Sequence, residues 1–276
     1  MKKILVPTDF SEYAENALKI AAKFAKKYDA EIYLLHMLEL PMDMVNPVGD
    51  TRSSDLPEAL FFMKLAKKRF SEILSRPYLN NVTAHETVQF HQAFEGIMET
   101  SKKHNCDFII MGSQGATGFK EMFVGSNTEK VVRRSDIPVL VIKKDRPDFK
   151  TDNFVFATNL NPEGKKALQQ VVEFAALVKA KLHLVFVNTA NEFRTSEDTD
   201  NYLQDYMKDT PFDNYEFHVY NDSSVEDGIL NFAKKINADL VGIATHGRKG
   251  LSHFFNGSIS EDLVNHAGVP VVTFKI

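Results

Sequence analysis

Apolar residues along the chain follow two rhythms. Short continuous runs, such as Ile4 to Val6, FIIM ending at Met111, VLVI from Val139 and VVTF from Val271, are bounded by Pro, Gly or charge. Between them lie longer stretches where apolar residues recur every three or four positions, as at Ala14, Ala17, Leu18, Ala21 and Phe24. The first rhythm reads as strands buried on both faces and the second as helices with one buried face. Ser11 stands where the first helix needs an N-cap, and Asn161 followed by Pro162 repeats that signal in the second half of the chain.

The same pattern occurs twice. The stretch from Pro7 to Met37 matches the one from Ala157 to Val187 at an offset of 150, and Glu95 to Gly115 matches Asp227 to Gly247 at an offset of 132. Each copy predicts a strand, a helix, a strand (Ile32 to Leu38; Leu182 to Val187), a helix (about Leu56 to Leu74; about Glu197 to Met207), and a strand (Val82 to Phe90; Tyr215 to Tyr220). A helix from about Ala93 or Val225 then leads to a central strand, a long loop, a helix and a last strand. The expected fold class is α/β, with two tandem Rossmann-like domains at 1–146 and 147–276. Each is expected to hold a five-stranded, mainly parallel sheet covered by helices on both faces, with ligands at the carboxyl ends of the strands. The difference in offset places about eighteen extra residues in the first copy, in the stretch from Leu40 to Pro57. That stretch is open to three readings, a lid, a partner-binding loop or simply a disordered insertion, of which the last is favoured.

Candidate chemistry concentrates after the central strand. In GSQGATGFKEMFVGSNT, residues Gly112, Gly115, Gly125 and Ser126 provide bare backbone where an anion would be met, and a helix begins near Ser126. The second copy reads ATHGRKGLSHFFNGSIS from Ala244. Glycines at such a place also serve simply as turn formers. A P-loop is not formed, because Gly242 to Gly247 has its frame but Arg248 stands where Lys is required, and the G-x-G-x-x-G dinucleotide pattern is missing. His246 and His253 lie in the second loop without zinc-type spacing, so no metal ligands are assigned.

Bulk properties narrow the partners. A net charge of −4 with both signs interspersed gives no general attraction to nucleic acid or anionic lipid. The single cysteine, Cys106, excludes an internal disulfide and lacks basic neighbours that would activate a thiolate. No signal peptide or membrane span is expected.

With these segments in view, each half resembles a universal stress protein domain of the UspA type, and the chain resembles a tandem universal stress protein. ATP-binding members of that family carry G-x2-G-x9-G-[S/T], which Gly112, Gly115, Gly125 and Ser126 satisfy. The resemblance implies that Asp9 and the backbone of Met37 contact the nucleoside, and that Gly112, Gly115, Gly125, Ser126, Asn127 and Thr128 hold ribose and phosphates. In the second half the corresponding residues are Asn159, Val187, Ala244, Gly247, Gly257, Ser258, Ile259 and Ser260, with Asn159 and Ala244 departing from the pattern. It also implies a cytoplasmic role in stress response, ATP with accompanying Mg2+ as ligand, and an internal pseudo-dimer of the two halves with further homo-oligomerisation open. Three function classes stay open: a nucleotide-binding regulatory protein, a slow ATP-hydrolysing enzyme, and a scaffold whose second pocket is empty. No catalytic residue is assigned, because the motif supplies no evident general base, and binding is expected over catalysis.

Overall fold

The computed structural model describes residues 1–38, 55–90, 92–114, 125–245 and 263–276, with side chains from residue 60 onward in the second of these stretches. Gly115, Gly247, Gly257, Ser258, Ile259 and Ser260, together with most of the stretch from 41 to 57, lie outside the described residues. The chain divides into two compact units. The first comprises Met1–Phe119, Gly125–Val131 and Ile142–Arg146, and the second contains Val132–Val141 and Pro147–Ile276.

In the first unit, β1 (Lys3–Pro7) leads through a short turn into α1 (Glu12–Tyr28). Ser11 caps that helix, its hydroxyl oxygen accepting from the Ala14 N–H at 3.3 Å, while Glu12 and Glu15 lie at the positive end and Lys26 and Lys27 at the negative end. Ala17, Leu18, Ala21 and Phe24 form its buried face. Then follow β2 (Glu31–Met37), α2 (Asp55–Leu74), β3 (Ala84–Gln89), α3 (Ala93–Lys103), β4 (Phe108–Gly112), and α4 (Ser126–Arg134), which runs into β5 (Val139–Ile142). Strand order is β3-β2-β1-β4, all parallel, with Ile4 opposite both Ile32 and Phe108. Every residue of β4 is buried, as expected for a parallel strand covered on both faces.

The second unit repeats the plan with β6 (Asn153–Ala157), α5 (Lys165–Val178), β7 (Lys181–Asn188), α6 (Ser196–Met207), β8 (Tyr215–Asn221), α7 (Val225–Lys235), β9 (Leu240–Thr245) and β10 (Val271–Lys275). Its order is β5-β10-β9-β6-β7-β8, parallel throughout except for the β5–β10 pair. That pair is antiparallel, with Val271 opposite Val141 and Thr273 opposite Val139. The expectation of five strands per half therefore meets a different partition, since most of β5 belongs to the second unit. Asn161 also departs from expectation. Pro162–Gly164 form a single 3-10 turn before α5, and the Asn161 side chain makes no cap bond to it.

The two cores are built from complementary volumes. In the second unit Phe154, Phe174 and Phe274 meet with ring centroids 5.5 to 6.3 Å apart, and Phe156 packs edge-on against Phe274 at 6.1 Å. Gly242 makes room for this cluster, because a Cβ there would lie 2.6 Å from Phe154 Cε2. At the repeat offsets, Phe154 corresponds to Ile4 and Gly242 to Ile110, both fully buried in the first unit. In the second unit a large residue lies against a bare backbone where the first has two of middle size.

This exchange is testable. Gly242→Ile is expected to destabilise by about 1–3 kcal/mol through overpacking. Adding Phe154→Ile should recover part of that loss, giving a favourable coupling of about 0.5–3 kcal/mol in a double-mutant cycle followed by urea unfolding. Strictly additive losses would show that the two positions are not packed as described.

Candidate functional site

The turn after the first strand has the same construction in both units. Thr8 Oγ1 accepts from the Phe10 N–H at 3.0 Å, and Asp9 Oδ1 accepts from the Ser11 N–H at 3.0 Å. Thr158 Oγ1 likewise accepts from the Leu160 N–H at 3.0 Å, and Asn159 Oδ1 from the Asn161 N–H at 3.1 Å. Phe10 and Leu160 adopt left-handed backbone with φ of 64° and 59°. These side-chain turns redirect a buried strand into a helix without leaving its donors unpaired. Asp9 and Asn159 thus both build the loop.

In the first unit the turn forms one wall of a cleft of about 250 Å³ at the carboxyl ends of the parallel strands. Thr8 and Asp9 come from the β1 end, Leu35 and Met37 from β2, Ala93 and Ile97 from α3, and Met111, Gly112 and Gln114 from the β4 end. Gly125, Ser126, Asn127 and Thr128 close it at the start of α4. Every described residue expected in the first site therefore lines one cleft. The first backbone bond of α4 runs from the Glu129 N–H to the Gly125 carbonyl at 3.0 Å. The N–H groups of Ser126, Asn127 and Thr128 precede the helical ladder, at the positive end of the dipole. Among the described lining residues, Asp9 is the one that carries a charge at neutral pH.

Several of these residues also hold the cleft together. Thr128 Oγ1 donates to the Gly112 carbonyl at 3.0 Å, and the Gly125 N–H donates to the Ser113 carbonyl at 2.8 Å, tying the helix start to the strand end. Gly112 is required by the protein itself. A Cβ there would lie 2.8 Å from the backbone carbonyl carbon and oxygen of Tyr13 in α1. At Gly96 the Met37 thioether, a flexible side-chain end, occupies the space a Cβ would take, and Gly228 makes the same room for Val187. Sequence reasoning offered ligand approach or a plain turn for Gly112 and did not single out Gly96, although the repeat itself pairs Gly96 with Gly228.

In the second unit Asn159 and Ala244 are buried, and Val187 sits against α7. Tyr206 of α6 is a feature that sequence reasoning missed. Its hydroxyl donates to the Gly164 carbonyl at 3.1 Å and also bonds Thr158, and burial pushes the phenol up to about 12. Gly164 and Thr158 correspond, at the offset of 150, to Ala14 and Thr8, which line the first cleft.

The Universal stress protein family profile matches residues 1–143 and again 150–275. The chain belongs to the universal stress protein family. It carries two universal stress protein domains in tandem. Universal stress protein MJ0577 of Methanocaldococcus jannaschii is 33% identical over 154 residues, covering 52% of this chain and 95% of its own length. Universal stress protein Slr1230 of Synechocystis is 24% identical over 296 residues, covering the whole of both chains. The crystal structure of a universal stress protein from Archaeoglobus fulgidus superposes with a TM-score of 0.73 at 23% identity, over 99% of this chain and 96% of that one, which shows a shared fold.

Around the universal stress protein cleft, a second cavity of about 400 Å³ shares Asp9 and lies among Phe10, Ser11, His36, Leu38 and, on α2, Phe62, Leu65, Ala66 and Arg69. The spacing of those four α2 residues on one helical face was the available signal for it. Elsewhere, burial pushes the Cys106 thiol up to about 11, which keeps it a thiol at neutral pH. Among the described residues, no helix is long and apolar enough to cross a membrane.

His36 gives a pH test of the cleft mouth. Its Nδ1–H donates to the Thr8 carbonyl at 2.8 Å and its ring packs 4.3 Å from that of Phe10. Burial holds its pKa below 6.5, outweighing the Thr8 bond and the Asp9 charge. The unfolded chain therefore takes up the proton first as pH falls below 6.5, and native stability is lost in that window. We expect the His36 ring resonances to titrate below 6.5. The unfolding free energy should decline from pH 7 towards pH 5, with a shallower decline for His36→Gln.

Proposed function

We propose that this universal stress protein is a cytoplasmic ATP-binding protein of the stress response, with the tight nucleotide site in its first domain. The observation that carries the reading is the convergence of Asp9, Met37, Gly112 and Gly125 to Thr128 on one cleft that ends at a helix N-terminus. Free backbone donors at such a terminus suit phosphate, while an acidic side chain at the opposite wall suits the hydroxyls of a ribose. Gly115 would complete the signature from the intervening loop. Mg2+ would arrive on the phosphates, since Asp9 alone supplies a carboxylate among the described lining residues.

Binding rather than hydrolysis is the activity this site supports. A cradle of backbone donors holds phosphates without chemistry, and Asp9 is already engaged in the turn through Oδ1. The second domain, 147–276, is a weaker site or an empty one. Asn159 lacks the charge of Asp9, Ala244 replaces Gly112, and the Tyr206 hydroxyl bonds the counterparts of Thr8 and Ala14. Gly247, Gly257, Ser258, Ile259 and Ser260 would form its phosphate end. The two domains, divided near residue 146, act in this reading as an internal pair.

The test is calorimetric titration of the full chain with MgATP, with co-purified nucleotide counted by chromatography. One tight equivalent is expected. Asp9→Asn should weaken it about tenfold, the difference between a charge-assisted bond of about 1.5–3 kcal/mol and a neutral one of about 1 kcal/mol. Gly125→Val should abolish it. Equal filling of two sites at limiting ATP, or tight binding that survives Gly125→Val, would overturn the assignment.

A further inference from the structure

Away from the cleft, β7 and β8 place three potential ligands side by side. His183 lies opposite Glu216 in the parallel register, and His218, two residues beyond Glu216, projects to the same face. His183 Nδ1 is 3.2 Å from His218 Nε2, and Glu216 Oε2 is 3.7 Å from each of those nitrogens. The point equidistant from three atoms so spaced lies about 2 Å from each, within the Zn–N and Zn–O range of about 2.0–2.2 Å. No adjustment of the side chains is needed to reach bonding distance.

The surroundings prepare these atoms as ligands. His183 Nε2–H donates to Asn153 Oδ1 at 3.3 Å, which leaves the Nδ1 lone pair directed at His218. Such an outer hydrogen bond, fixing the tautomer and orientation of the ring, is the usual companion of a metal-bound histidine. Glu216 Oε1 accepts from Lys181 Nζ at 2.5 Å, holding Oε2 towards the two rings. Phe232 of α7 packs against His218 with centroids 4.7 Å apart. Burial holds both rings below the ordinary histidine range, with Lys181 adding to the effect on each, Lys235 on His218, and Glu216 opposing it. With its Nε2–H on Asn153, His183 accepts at Nδ1 from the His218 Nε2–H unless a cation takes that proton's place.

We propose that His183, Glu216 and His218 form a binding site for one divalent transition-metal ion, Zn2+ by ligand type. Two imidazoles and one carboxylate are a zinc ligand set that leaves a fourth position open. His183 is nearly enclosed, whereas His218 and Glu216 have side-chain exposures of 28% and 49%, so the open position faces solvent. The cluster lies towards the amino ends of β7 and β8, away from Asn159 and Val187, and owes nothing to the nucleotide reading. The first domain has no equivalent: Tyr33 stands at the position of His183 at the offset of 150. Among the described residues this is the one such cluster of three. Sequence spacing concealed it, because the ligands are brought together only by strand register.

Titration of the full, nucleotide-free chain with Zn2+ by calorimetry, and with Co2+ by visible absorption, tests the site. We expect one equivalent bound at micromolar affinity, tempered by the Lys181 charge, and Co2+ bands of a four- or five-coordinate ion with nitrogen ligands. Glu216→Gln and His218→Asn, both at partly exposed positions that should leave folding intact, are each expected to weaken Zn2+ at least tenfold and to remove its effect on the melting temperature. Wild-type protein that binds no Zn2+, or binding that persists unchanged in both variants, overturns the proposal.

Discussion

Turning a buried parallel strand directly into a helix is the constraint on which the cleft depends. At that point the chain leaves a ladder that satisfied its backbone and enters a helix whose first donors have no internal partner. Thr8 and Asp9, and again Thr158 and Asn159, meet the requirement with their own side chains. The residue between the two bonded amides is forced into left-handed backbone, and the turn becomes rigid enough to serve as a wall. The seating of Gly112 on Tyr13 then sets how closely the β4 end approaches α1. The cleft is what remains between those two fixed edges and the start of α4.

Much of this was legible in the amino-acid sequence because it follows from local patterns. The strands and helices follow apolar periodicity, Ser11 announces its cap, and the repeat announces two domains. The cleft residues were legible because loops at the carboxyl ends of parallel strands must converge, whatever their separation along the chain. Asn161 misled because a cap signal was followed by Pro162 and Gly164, which favour a single tight turn before the helix proper. Gly112 was read for its ligand or as a turn former, although its nearest constraint is the protein's own backbone. Tyr206 and the His183 cluster were hidden for another reason, since their meaning depends on which neighbour a side chain finds across strands or layers.

Duplication has let the two domains diverge where a change in one residue can be absorbed by another. Where the first domain has Ile4 and Ile110, the second has Phe154 and Gly242, with the ring lying against a bare backbone. Met37 over Gly96 has become Val187 over Gly228, with the helix position kept bare in both. At the cleft the changes do not cancel. Asp9 has lost its charge in Asn159, and Ala14 has given way to Gly164 with the Tyr206 hydroxyl against it. The cores are packed around different shapes, whereas the clefts differ in their chemistry.

The antiparallel pair of β5 and β10 bears on how the chain is made. Val141 and Val271 are about 130 residues apart, so during synthesis β5 leaves the ribosome long before the strand it pairs with exists. Until β10 arrives, four buried apolar residues, Val139 to Ile142, present an unpaired edge to the cell. Nascent chains at this stage are exposed to pairing with one another, a hazard that ends only when β10 is made and is independent of the stability of the finished protein.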